Sequence, residues 1–213
     1  MDQTPERRIV PPPVADPAPL GLAAFALTTF LLSAKNAGWT DGGNAWLGFA
    51  FAYGGLAQLL AGMWEYRNRN VFGATAFSTY GAFWIGLGLY ALLVEPQSPN
   101  PANDLGFILL AFAIFNTYML LWSTRTTLAT FLVFLTLEAT EVILFVGFFA
   151  DSEGVVKAGG VVGAVTAAVA WYASAAGVLN GMAGRPLLRV GGPLWRERAA
   201  GTAEYSGAYV SPR

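Results

Sequence analysis

Residues 16–36 read "DPAPLGLAAFALTTFLLSAKN", and how they are interpreted decides the fold. Two prolines, Pro17 and Pro19, stand immediately before the run Leu20-Gly21-Leu22-Ala23-Ala24-Phe25. Proline lacks an N–H and clashes with the preceding turn inside a helix, yet it is tolerated in the first turn, so the pair marks a helix start. The apolar residues that follow come close to the 20 or so a helix needs to cross the hydrocarbon core. The stretch reads as the beginning of a membrane span.

Five more segments share that length and character. The six expected spans are Pro19–Ala37, Ala45–Trp64, Phe72–Val94, Leu105–Trp122, Leu128–Ala150 and Val155–Met182, separated by the turn-rich breaks "WTDGGN", "EYRNRN", "EPQSPNPAND", "STRT" and "DSEG". Of 213 residues 55% are hydrophobic and 12% charged, about half the charge of an ordinary soluble domain, and the mean hydropathy is +0.49. The expected fold is an all-α membrane protein with six transmembrane helices. Residues 1–18 are expected as an N-terminal tail, 19–184 as the transmembrane domain and 185–213 as a C-terminal tail.

The basic residues orient it. Ten arginines (Arg7, Arg8, Arg67, Arg69, Arg125, Arg185, Arg189, Arg196, Arg198 and Arg213) share one side if the spans alternate, while Lys35 and Lys157 fall opposite beside Asp41, Glu95, Asp104, Asp151 and Glu153. The positive-inside rule then places both termini in the cytoplasm. The polar, proline-rich "MDQTPERRIVPPPVA", with no small-residue cleavage site before the apolar run, is expected as an uncleaved tail rather than a signal peptide.

Composition also removes function classes. A net charge of −1 with no basic stripe leaves no footprint for nucleic acid. Cysteine and histidine are absent, so thiolate nucleophiles, disulfides, Cys/His metal sites and imidazole relays are all excluded. No nucleophile and base pair can be assembled from what remains, so neither an enzyme nor a cofactor is expected. Lys35 and Lys157 lie away from helix centres, which speaks against a buried retinal Schiff base.

Polar side chains inside the spans are the candidates for a pathway, because each is costly in lipid unless it faces protein or water. Glu138 and Glu141 lie three residues apart on one face of span 5. They read either as proton or cation carriers or as protonated groups bonded across a subunit contact. Gln58 and Glu65 share a face of span 2, with Glu65 expected to be solvated or ion-paired beside Arg67 and Arg69. Trp39, Trp46, Trp64 and Trp122 lie near span ends and suit an interfacial belt. Phe25 and Tyr80 lie well inside their spans beside small neighbours, where core packing is the ordinary reading. The pairs Ala50/Gly54, Ala57/Ala61, Gly159/Gly163 and Gly177/Gly181 are spaced to let helices approach, within a protomer or between subunits.

The stretch "DPAPLGLAAF", the block "FAYGGLAQLLAGMWEYRNRNVFGATAFSTYGAFW" at Phe51–Trp84, "FLTL" at Phe134–Leu137 and "GVLNG" at Gly177–Gly181 resemble the acetate uptake transporter family, the succinate–acetate permeases. The resemblance implies a six-helix protomer assembled as a homohexamer in the inner membrane. It also implies a narrow pathway in each protomer for acetate and related monocarboxylates, in some members succinate. It places the constriction at Phe25, Tyr80 and Leu135 and a selectivity position at Ala170, with Asp16, Pro17, Pro19 and Gly21 as the helix-start motif. Backbone amides there would weakly attract an anion. The sequence departs from the family at Asp16, where asparagine is usual, at Gly177, which replaces an acidic residue, and at the two glutamates of a helix otherwise expected to be apolar. A non-transporting membrane sensor of small acids is the alternative.

Overall fold

A computed structural model describes residues 14–42 and 44–195; the outer parts of both expected tails, 1–13 and 196–213, lie outside the described residues. Six long apolar helices account for the chain: α1 (Ala18–Asn36), α2 (Ala45–Arg67), α3 (Val71–Gln97), α4 (Pro101–Ser123), α5 (Leu128–Phe149) and α6 (Glu153–Ala183). Among the described residues there is no strand. Side-chain caps start three of them. Asn70, Asn100 and Thr127 each accept a hydrogen bond from the backbone N–H three residues on, at 3.1 Å in every case, which satisfies one of the donors a helix start leaves free. The Asn100 cap with Pro101 behind it begins α4 four residues ahead of the expected Leu105. At the other limit, α6 ends on Gly184 with φ of 62°, a left-handed stop that suits glycine.

Each helix packs on the next, and α6 returns to α1, so the six form a closed ring whose thinnest seam is between α3 and α4. Apolar surface gives helices no preference for one another over lipid, so close packing and polar contacts must hold the ring. Small residues supply the packing. A Cβ on Gly159 would come within 2.6 Å of Leu144, Gly163 faces Ser33, and a Cβ on Gly177 would come within 2.8 Å of Pro19. Most of the expected small-residue faces are therefore spent inside the protomer; Gly181 meets open space. Ser174 donates to the Pro19 carbonyl at 2.6 Å, and the hydroxyls of Thr140 and Thr166 meet at 3.0 Å. Both α2 and α3 are interrupted by π-helical turns, at Ala52–Ala57 and Tyr90–Val94. The first sets Gly54 directly against Thr28 of α1.

The segment after α6 is held against the bundle, and one expectation about the tryptophans changes. Residues 185–195 do not leave as a free tail: Asn180 bonds Leu187 and Leu188 through three hydrogen bonds of 2.7–2.9 Å. Further along, Val190 pairs with Ala129 and Trp195 with Thr124 through the backbone. Trp195 lies under the Arg125 guanidinium, 4.6 Å from its ring centre. Among the tryptophans, Trp39, Trp64 and Trp122 are exposed, but Trp46 is buried in a cluster with Trp84.

Candidate functional site

The ring of helices encloses a pinch. Phe25 of α1, Tyr80 of α3, Leu137 of α5 and Ala170 of α6 are all buried in one cluster. The Phe25 and Tyr80 rings meet edge to face, with centroids 5.8 Å apart. Tyr80 is boxed further by Phe83, Phe112 and Phe115 at 5.6–6.2 Å.

Cavities open on both sides of this cluster and share Phe25, Tyr80 and Leu137 as their common wall. Towards the face where α1 begins, Leu22 and Gln58 complete a space of about 20 Å³, room for about one water. Towards the opposite face, Ser33, Asn36 and Glu141 join a space of about 50 Å³. Beyond it lies a vestibule of about 390 Å³ that shares Leu32, Asn36, Leu109 and Leu144 with it and carries Lys35, Lys157, Glu95 and Glu153. Lys157 pairs with Glu153 at 2.6 Å, and Lys35 lies 5.8 Å from the Trp46 ring centre. The three spaces follow one another across the ring, the two smaller ones parted at one level by three side chains from alternate helices.

Leu135 is not one of those side chains. It is 42% exposed on the outside of α5, whereas Leu137 is 7% exposed and walls both cavities. Two residues along a helix are about 200° apart, so one of the pair must face away from the centre. The buried positions Val133, Phe134, Leu137, Thr140, Glu141 and Leu144 define the inner face of α5, and Leu135 lies off it.

Polar side chains line one flank. The Tyr80 hydroxyl lies 3.2 Å from Glu141 Oε1 and 3.2 Å from Asn116 Oδ1. Asn116 Nδ2 in turn donates to the Phe134 carbonyl at 3.0 Å and to Glu138 Oε2 at 2.7 Å, and the Thr117 hydroxyl is 2.9 Å from Glu138 Oε1. Glu138 and Glu141 are thus joined through α4, with Glu141 facing the passage and Glu138 turned towards Asn116 and Thr117. Asn116 is fully buried and was missed in the sequence, although an asparagine in the middle of "AIFNTYML" carries the same signal as an intramembrane glutamate.

Gln58 is buried at the passage, its Oε1 without a hydrogen-bond partner among the described residues. Glu65 is also fully buried, contrary to the solvated position expected of it. Asn68 donates to it at 3.4 Å, and no arginine bridges it among the described residues. The helix-start motif proves to be a packing device. A Cβ on Gly21 would come within 2.7 Å of the Phe77 ring. Asp16 Oδ1 accepts from the Ala18 N–H at 2.9 Å, and the Gly21 N–H is bonded to the Pro17 carbonyl. With two prolines lacking N–H groups beside these, the start of α1 offers little to an anion, and the expected attraction is not supported.

The sequence profile described as the GPR1/FUN34/yaaH family matches residues 2–184. The chain is 44% identical over 188 residues to Acetate permease A of Emericella nidulans, covering 78% of this chain and 62% of that protein. It is 36% identical over 183 residues to Succinate-acetate/proton symporter SatP of Escherichia coli strain K12, covering 84% of this chain and 96% of that one. The chain thus spans just under two thirds of the length of the fungal relatives it matches. A solved structure of the bacterial acetate channel SatP superposes with a TM-score of 0.80 at 34% identity, over 84% of this chain and 100% of that one.

Proposed function

The chain belongs to the GPR1/FUN34/yaaH family, and from that premise we propose that it conducts acetate and related small monocarboxylates, and the dicarboxylate succinate, through a passage in each protomer. One observation carries the reading: two cavities meet at a common wall of Phe25, Tyr80 and Leu137. A pinch of this chemistry excludes bulk water and ions, while a small amphiphile with a methyl group and one carboxyl finds apolar walls and one hydroxyl. Support comes from relatives named for acetate and succinate and from the match to an acetate channel.

On this reading the chain is a conduit and not an enzyme. The face with the termini lies in the cytoplasm, the vestibule with Lys35 opens outside, and six copies assemble in the inner membrane. Ala170, fully buried beside the pinch, limits the size of acid admitted. Labelled acetate uptake into vesicles containing the purified protein tests the proposal against protein-free vesicles and against Tyr80→Ala. Protein-dependent uptake altered by the variant is expected. Uptake no faster than in protein-free vesicles would remove the conduit and favour a sensor.

A further inference from the structure

The polar flank of the pinch contains more acceptors than protons, and counting them fixes where one proton must sit. Asn116 donates both of its amide hydrogens, to the Phe134 carbonyl and to Glu138, so its Oδ1 is the atom that faces Tyr80. The tyrosine hydroxyl has a single proton and two oxygens at 3.2 Å, Asn116 Oδ1 and Glu141 Oε1. Two patterns are open. If Tyr80 donates to Glu141, Asn116 Oδ1 loses its donor. Glu141 is then either a buried anion with one hydrogen bond or a neutral carboxyl whose proton on Oε2 has no acceptor, since Oε2 has no partner among the described residues, and both leave more polar atoms unsatisfied. If Tyr80 donates to Asn116, Glu141 must itself donate to Tyr80, and both contacts are satisfied. A buried charge without a cation costs far more than a buried neutral carboxyl, so the second pattern is the stable one.

We propose that Glu141 holds a proton in the resting protein and hands it to the carboxylate of an arriving acid, so that the acid crosses the pinch neutral and one proton moves with each acid. This rests on the conduit reading above and names the residue that couples it. In the step, the Glu141 O–H bond breaks and an O–H bond forms on the substrate carboxylate. Glu141 is left as the anion, and the Tyr80 hydroxyl turns from Asn116 to Glu141 to stabilise it. Past the pinch the acid releases its proton to water. Glu141 recovers one from hydronium reaching it through the cavity it lines towards the vestibule. Asn116 is a positioning residue: it gives the Tyr80 hydroxyl its second resting direction.

The groups around Glu141 suit the role. Tyr80 faces it from α3, Glu138 lies one turn back on α5, and on α4 Tyr118 packs on Phe115 beside Tyr80. From α1 the cavity receives Thr29 and Ser33, which carry no titratable proton in this range. No lysine or arginine lines that cavity, so nothing there would hold Glu141 as a permanent anion.

The experiment has two arms on the purified full-length protein. Infrared difference spectra at neutral pH read the carbonyl stretch of protonated carboxyls. Subtracting the Glu141→Gln spectrum from the wild type should leave a carboxyl band, separate from any band of the buried Glu65, and subtracting the Glu138→Gln spectrum should leave none. Vesicles loaded with a pH-sensitive dye then read proton entry during acetate uptake, corrected for protein-free vesicles. Glutamine keeps a donor towards Tyr80 and should leave the unfolding profile unchanged, while proton-coupled uptake should fall roughly a hundredfold, the scale of losing a positioned proton donor. Asn116→Leu should slow coupled uptake while sparing the infrared band. Carboxyl absorption in Glu141→Gln equal to that of the wild type, or coupled uptake equal to wild type in that variant, overturns the assignment. Wild-type vesicles that move no acetate overturn the conduit itself, and this step with it, whatever the infrared band shows.

Discussion

At the scale of single residues, the pinch turns on which leucine of α5 faces inward. Leu137→Ala removes part of the wall shared by both cavities and should raise acetate flux several-fold or relax its selectivity. Leu135→Ala, on an exposed position, should leave flux within about twofold, as surface changes away from special features usually do. Initial uptake rates in vesicles check the pair, and the reverse ranking would return the constriction to Leu135. Ala170→Gly should admit bulkier acids, read as the ratio of succinate to acetate uptake; an unchanged ratio would remove Ala170 from selectivity. The motif resemblance singled out Phe25 and Tyr80 as a pair, and the structure buries both in one cluster with their rings in contact. Leu137 rather than Leu135 walls the two cavities, and a short string such as "FLTL" could not choose between them, because it fixes a neighbourhood whereas the face of a helix turns by about 100° per residue. Glu65 was misread for a related reason: sequence showed the helix end and two arginines, but not the turn that folds Asn68 and Gly73 over its carboxyl.

At the scale of elements, number, order and nearly all limits of the helices could be read from apolar length and turn residues, since lipid leaves a spanning backbone little choice. What escaped was the cap at Asn100, hidden among loop-like residues, and the two π-helical turns, which no composition marks. Helix contacts escaped too, because small residues announce a close approach without naming the partner. Gly81 shows the cost of such an approach: a Cβ there would come within 2.6 Å of the Leu59 backbone N on α2, which cannot move aside as a side chain can. Gly81→Ala should lower stability by about 1–3 kcal/mol, measured by thermal unfolding in detergent. An unchanged midpoint would mean that α2 and α3 are less tightly engaged than described here.

At the scale of the whole molecule, six helices close into a ring in which α1 begins beside the end of α6, and residues 185–195 lie back across the ends of α4 and α5 on that face. Asn180→Ala removes three of the hydrogen bonds that hold this segment. It should speed hydrogen exchange of residues 187–195 while leaving the six-helix unfolding midpoint in place, and unchanged exchange would show that the segment is held by other contacts. The central claim is that acid passes between Phe25, Tyr80 and Leu137. The absence of native cysteine allows it to be tested with a single thiol at Leu137→Cys, reacted with a disulfide-forming reagent while labelled acetate flux is followed in vesicles. Modification should stop the flux and reduction should restore it, with the same modification at Leu135→Cys having little effect. Full modification at position 137 with flux undiminished would contradict the passage described here.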